Sequence, residues 1–76
     1  MKFQSNLDRC GKNLRRLREK QRMSVAALAA LSGVTEDAIS RFEQGQGGGV
    51  AIADLLKIAE VLDVELSYIF SGPGSD

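Results

Sequence analysis

The chain has no histidine and one cysteine, Cys10. An internal disulfide is therefore excluded, and a zinc site with its usual Cys/His ligands has nothing to be built from. Cys10 stands at the start of an apolar stripe. A small buried hydrophobe is the ordinary reading of such a residue, and a redox sensor is the narrower one. Long hydrophobic runs are also missing. The opening MKFQSNLDRCGKN holds no apolar stretch of signal-peptide length, and no segment approaches the roughly 18 apolar residues of a membrane span. The expectation is a cytoplasmic protein with no membrane partner. Net charge is absent too, with 10 basic and 10 acidic side chains. Zero net charge alone argues against an anionic polymer as partner.

The distribution of charge reverses that impression. Residues 1–22 carry Lys2, Arg9, Lys12, Arg15, Arg16, Arg18, Lys20 and Arg22 against only Asp8 and Glu19. The remainder carries Arg41 and Lys57 against eight acids. A dipolar domain can bind an anionic polymer by its basic end, and a well-solvated helix face would look the same. At 76 residues the chain makes one domain, burying roughly 60% of its unfolded surface. That leaves little room for a catalytic cleft. With no histidine and no plausible nucleophile–base pair, the chain reads as no enzyme, with no cofactor, metal or small-molecule ligand.

Neither a repeat nor a strand pattern appears, so the class is all-α, with five short helices. In GKNLRRLREKQR, residues 11–22, Leu14 and Leu17 lie three apart among polar neighbours, with Cys10 and Gln21 as candidates for the same stripe. This predicts a narrow amphipathic helix starting near Asp8. Ser24 can cap the next helix, VAALAALS at 25–32, because its hydroxyl accepts a free N–H of the first turn. Gly33 ends it, since glycine supplies the left-handed backbone at a helix stop. Thr35 is the next cap, and a third helix runs from about Glu36 to Gln44 with Ile39 and Phe42 inward.

GQGGG at 45–49 must be a loop. From about Ala51 to Leu62, Ile52, Leu55, Leu56, Ile58, Ala59 and Leu62 form a broad apolar stripe, with Gly49 or water left to serve at its uncapped start. Asp63 breaks the run. A last helix from about Glu65 to Phe70 should carry Leu66, Ile69 and Phe70 back onto the core. Residues 71–76 read as a disordered tail.

A helix, a short turn with glycine and a second helix form the helix-turn-helix unit of DNA-binding domains. Counted from Val25, the small Ala29 falls at the fifth place and Gly33 at the ninth. The apolar Leu28, Val34, Ile39 and Phe42 fall at the fourth, tenth, fifteenth and eighteenth. Each meets a packing need of two helices crossing near a right angle.

On these residues the chain resembles the phage repressor and Cro-type (XRE) helix-turn-helix transcriptional regulators. The likeness covers residues 11–70, with the motif at about 25–44 and residues 1–10 forming an arm and the start of helix 1. GKNLRRLREKQRMS resembles the family's first helix, LAALSGVTEDAISRFEQG its helix-turn-helix, and LLKIAEVLDVELSYIF its last two helices. The resemblance implies a compact five-helix, lambda-repressor-like domain. It also implies a structural ion pair between Arg18 and Glu43 that links the first and third helices.

The implied partner is double-stranded DNA, bound by a homodimer with the third helix in the major groove. The implied contact residues are Ser24, Thr35, Glu36, Asp37, Ser40, Arg41, Gln44 and Gln46, with Arg16 and Arg22 beside them. The C-terminal helix, with Tyr68, Ile69 and Phe70, is the candidate dimer surface, and Leu31 a lesser one.

Two departures stand out. The family usually has glutamine where this chain has Val25, and the positions after it are Ala26, Ala27 and Ala30. The tip of the third helix carries Glu36 and Asp37, of the same sign as DNA. They can simply complement the helix dipole, by roughly 0.3–1 kcal/mol each, or accept from a cytosine amino group. A competing function follows from these departures: a helix-turn-helix fold turned into a protein-interaction module that has lost most DNA affinity.

Overall fold

The computed structural model describes residues 3–46 and 50–71, which form five α-helices and, among the described residues, no strand. These are α1 (Phe3–Lys20), α2 (Val25–Ser32), α3 (Glu36–Glu43), α4 (Ile52–Leu62) and α5 (Leu66–Ser71). Helix α1 packs against α3 and α5, α2 against α3 and α4, and α4 against α5. One core results, made of Cys10, Leu14, Leu17, Leu28, Val34, Ile39, Phe42, Leu55, Ile58, Ala59, Leu62 and Ile69.

Helix α1 begins at Phe3, five residues before the expected start near Asp8. Apolar spacing cannot locate the start of a polar first turn, and no proline lies there to set a boundary. Gly11, which would ordinarily suggest such a boundary, sits mid-helix because α1 crosses α3 at contact distance there. A Cβ built on Gly11 would lie 2.1 Å from the Phe42 carbonyl oxygen and 2.9 Å from that of Glu43. Only glycine permits this approach.

Helix α1 also ends earlier than Arg22. Arg22 is left-handed, with φ 58°, and the chain closes on itself there. The Arg22 N–H donates to the Glu19 carbonyl at 2.9 Å and the Met23 N–H to that of Arg18 at 3.1 Å. These bonds satisfy carbonyls the helix would otherwise leave open. Asp63 does the same for α4 at φ 60°, through the Val64 N–H to the Ala59 carbonyl at 3.0 Å. Helix α4 starts at Ile52 with no side-chain cap on Ala51. The expected service of Gly49 there, like the glycines at 47–49 and residues 72–76 of the expected tail, lies outside the described residues, while Ser71, expected in that tail, is the last residue of α5.

Several apolar expectations are corrected. Helix α4 buries Leu55, Ile58, Ala59 and Leu62, an i, i+3, i+4, i+7 set that fills one face. Leu56 lies a hundred degrees round from Leu55 and is 47% exposed, and Ile52, at the helix's first residue, is 57% exposed. On α5, Ile69 is fully buried and belongs to the domain's own core, not to a dimer surface. Phe70, expected on the core, is 38% exposed, because so short a helix buries one side only. Tyr68 and Leu66 are half-buried.

Polar side chains lock the helices together. Gln21, a candidate for the apolar stripe, is exposed, and its Nε2 donates to the Leu62 carbonyl at the end of α4, 2.8 Å away. Asn13 is buried, and its Nδ2 donates to the Ile69 carbonyl of α5 at 3.0 Å. Burial pushes the Cys10 thiol above its usual pKa, which disfavours the reactive thiolate. No described helix is long and apolar enough to cross a membrane.

Candidate nucleic-acid interface

The site is built from two caps and a turn. Ser24 Oγ accepts the Ala27 N–H at 3.0 Å and Thr35 Oγ1 the Ala38 N–H at 3.1 Å. Each hydroxyl takes one of the donors that a first turn leaves open. Gly33, at φ 82°, ends α2 with its N–H on the Ala29 carbonyl at 2.9 Å. Buried Ser32 then accepts the Val34 N–H at 3.2 Å, which turns Val34 into the core. Three residues, 33–35, redirect the chain into α3.

Ile39 and Phe42 anchor the inner face of α3. Its outer face presents Thr35, Glu36, Asp37, Arg41 and Gln44 as exposed side chains, with Ser40 half-buried. The far end closes on Gly45, φ 84°, with the Gln46 N–H on the Arg41 carbonyl at 2.8 Å. A shallow concavity of about 240 Å³ lies here, lined by Asp37, Ala38, Arg41, Gln46 and Val50.

The orientation of this face is set from inside. Arg18 Nε meets Glu43 Oε2 at 2.7 Å, and Nη2 meets Oε1 at 2.9 Å. The third amino group, Nη1, donates to the Met23 carbonyl at 2.8 Å. Two parallel bonds between planar groups fix an angle as well as a distance. The same arginine therefore ties the last turn of α3 to α1 and to the segment that leads into α2. Its hydrogen bond to Glu43 holds the guanidinium pKa above the usual value.

The charges sort by pairing. Lys12 pairs with Asp8 at 3.3 Å and Arg15 with Glu19 at 3.0 Å. Arg9, Arg16, Lys20 and Arg22 are exposed and have no acidic partner among the described residues. Arg16 Nη1 reaches only Asn13 Oδ1, at 3.5 Å. The two acids of α3 differ in the same way. Asp37 Oδ2 lies 3.1 Å from Arg41 Nε, while Glu36 has no ion pair among the described residues.

The structure thus brings Asp37, Arg41 and Gln46 to one place. It joins neither Arg16 nor Arg22 to α3 by a hydrogen bond or ion pair among the described residues. The Asp37–Arg41 pair and the left-handed Arg22 escaped the sequence reading. An acid four residues before a base on one helix is the signal for the first. Nothing local marks the second.

The helix-turn-helix family model matches residues 14–69 of this chain. The repressor RghR of Bacillus subtilis is 43% identical over 54 residues, spanning 71% of this chain and 40% of RghR. The (S)-2-hydroxypropylphosphonic acid epoxidase of Streptomyces wedmorensis is 36% identical over 59 residues, but only 30% of that enzyme is covered. This chain spans less than half the length of the curated relatives it matches. Among solved structures, the restriction-modification controller protein C.AhdI of Aeromonas hydrophila superposes with a TM-score of 0.80 at 35% identity. That match covers 87% of this chain and 98% of the controller protein.

Proposed function

This chain belongs to the XRE-type family of helix-turn-helix transcriptional regulators, and we propose that it binds double-stranded DNA as a homodimer and represses transcription. The observation that carries this reading is the outer face of α3. It is polar, exposed, capped at Thr35 and held at a fixed angle by the Arg18–Glu43 fork. Thr35, Glu36, Asp37, Ser40 and Arg41 would face base edges. Gln44 and Gln46, with Arg16 and Arg22, would meet phosphates. At the start of α2, Ser24 occupies one N–H, and the remaining donors of that turn favour a phosphate.

Helix α3 is only 8 residues long, about 12 Å at 1.5 Å per residue. It can touch too few base pairs for useful selection alone. Two copies set one DNA turn apart, roughly 34 Å, on a near-palindromic site would supply it. Phe70 of α5 and the exposed Ile52 and Leu56 of α4 are apolar side chains available for that pairing. Repression is favoured by the likeness to RghR.

A second reading has its own observation. Leu31 is 66% exposed on α2, beside exposed Ala26 and Ala30, a surface that would suit a protein partner.

A labelled mixed-sequence duplex separates the two. Roughly four to six phosphate contacts per protomer should lower the affinity of the dimer about 10⁴- to 10⁶-fold between 50 and 200 mM salt. Arg22→Gly is an informative variant, since a left-handed non-glycine residue costs about 1–2 kcal/mol. It should raise the unfolding midpoint by about 4–8 °C while making the log–log salt slope shallower by about 0.9. Binding that is weak and flat with salt, from a folded protein, would favour the protein-interaction module.

A further inference from the structure

The two acids at the tip of α3 sit in different surroundings, and the difference suggests a division of labour. Asp37 is one helical turn before Arg41, and its Oδ2 lies 3.1 Å from Arg41 Nε. The carboxylate lies nearest the inner nitrogen of the guanidinium. Both side chains are largely exposed, at 64% and 73%, so the contact adds little to stability. Its backbone frame is fixed, because the Gln46 N–H closes on the Arg41 carbonyl. Gln46, Ala38 and Val50 complete the concavity around the pair.

Resting on the DNA-binding reading above, we infer that Asp37 is a positioning residue that aims Arg41 at a guanine. An arginine held at Nε can still offer its terminal fork, and that fork matches the O6 and N7 acceptors of guanine in the major groove. The pair carries no net charge. A phosphate approaching Arg41 would meet the Asp37 carboxylate as well, whereas a guanine edge is a neutral acceptor and meets no such repulsion. Asp37 thereby withdraws Arg41 from indiscriminate phosphate binding and assigns it to base selection. Glu36, which has no such partner, does not share this role.

The test is selection from a pool of random duplexes by the whole chain, with salt titration of the recovered sequences. The wild type should recover a guanine at one fixed position in each half-site. Arg41→Ala should lose that guanine, a drop in preference of about 5- to 150-fold. Asp37→Asn should weaken the same preference roughly tenfold, while its salt slope steepens by about 0.9 as Arg41 becomes free to take a phosphate. Asp37→Glu should restore part of the preference. Circular dichroism of each variant would verify folding at these exposed positions. If Asp37→Asn keeps the wild-type guanine preference, or tightens all sequences alike, the positioning role is overturned and DNA binding stands. If the wild type recovers no shared sequence and binds no duplex even at low salt, both readings fall.

Discussion

Replacing Gly11 with alanine is expected to lower the unfolding midpoint by about 8–16 °C, corresponding to a loss of roughly 2 kcal/mol in a domain of this size. Helix propensity points the other way. Alanine mid-helix is better than glycine by about 1 kcal/mol, and on that ground alone the variant should be more stable. Packing decides the sign. The new Cβ would stand 2.1 Å from the Phe42 carbonyl oxygen, a backbone atom with no rotamer to yield. Helices α1 and α3 would have to separate at their crossing, and overpacking of this kind costs about 1–3 kcal/mol and occasionally more. Gly33 is the control, since a Cβ there meets nothing within 4 Å and only its left-handed backbone resists substitution. Thermal or urea unfolding would decide, and a neutral or stabilised Gly11→Ala would mean the helices do not cross this closely.

Breaking the Arg18–Glu43 fork is expected to have the largest effect on stability. Arg18 is 9% exposed, and its partner's side chain 7%. Glu43→Leu or Arg18→Met leaves a charge out of water with its main partner gone, a loss of about 3–5 kcal/mol. Total stability for 76 residues is roughly 4–11 kcal/mol, so either single variant would lose about a quarter of it or more. The double variant Arg18→Met/Glu43→Leu should recover most of the loss, because two apolar groups of similar size can replace such a pair. The Arg18 pKa is raised above its unfolded value. Its contribution is therefore fully present below the unfolded pKa, and is lost only as pH rises through the still higher folded one. A denaturation cycle over the four proteins gives the coupling. A double variant no better than the sum of the singles would contradict this account of the pair.

What the sequence made legible was local. Ser24, Gly33 and Thr35 announce caps and a turn by residue type, and the structure bonds each as that chemistry requires. Leu14, Leu28, Ile39 and Phe42 announce the core by spacing. What remained hidden depends on contacts distant along the chain. Gly11 is explained only by Phe42 and Glu43, far along the chain. Asn13 and Gln21 look like surface residues until the ends of α5 and α4 arrive to accept their bonds. Ile52, Leu56 and Phe70 share the composition of core residues, and only the positions of neighbouring helices leave them exposed. At the site, the order of residues along α3 was readable. The pairing that separates Asp37 from Glu36 needed side-chain geometry.

If the outward face of α3 meets a duplex, the residues of that face should be the ones to respond when DNA is added. The most direct test is to follow backbone amide resonances of isotopically labelled protein during titration with duplex DNA at low salt. The largest shifts are expected at Ser24–Ala27, Thr35–Arg41, Gln44 and Gln46, with smaller ones at Arg16 and Arg22. Shifts confined to Leu31, Ile52, Leu56 and Phe70, with the α3 face silent, would contradict DNA binding by that face.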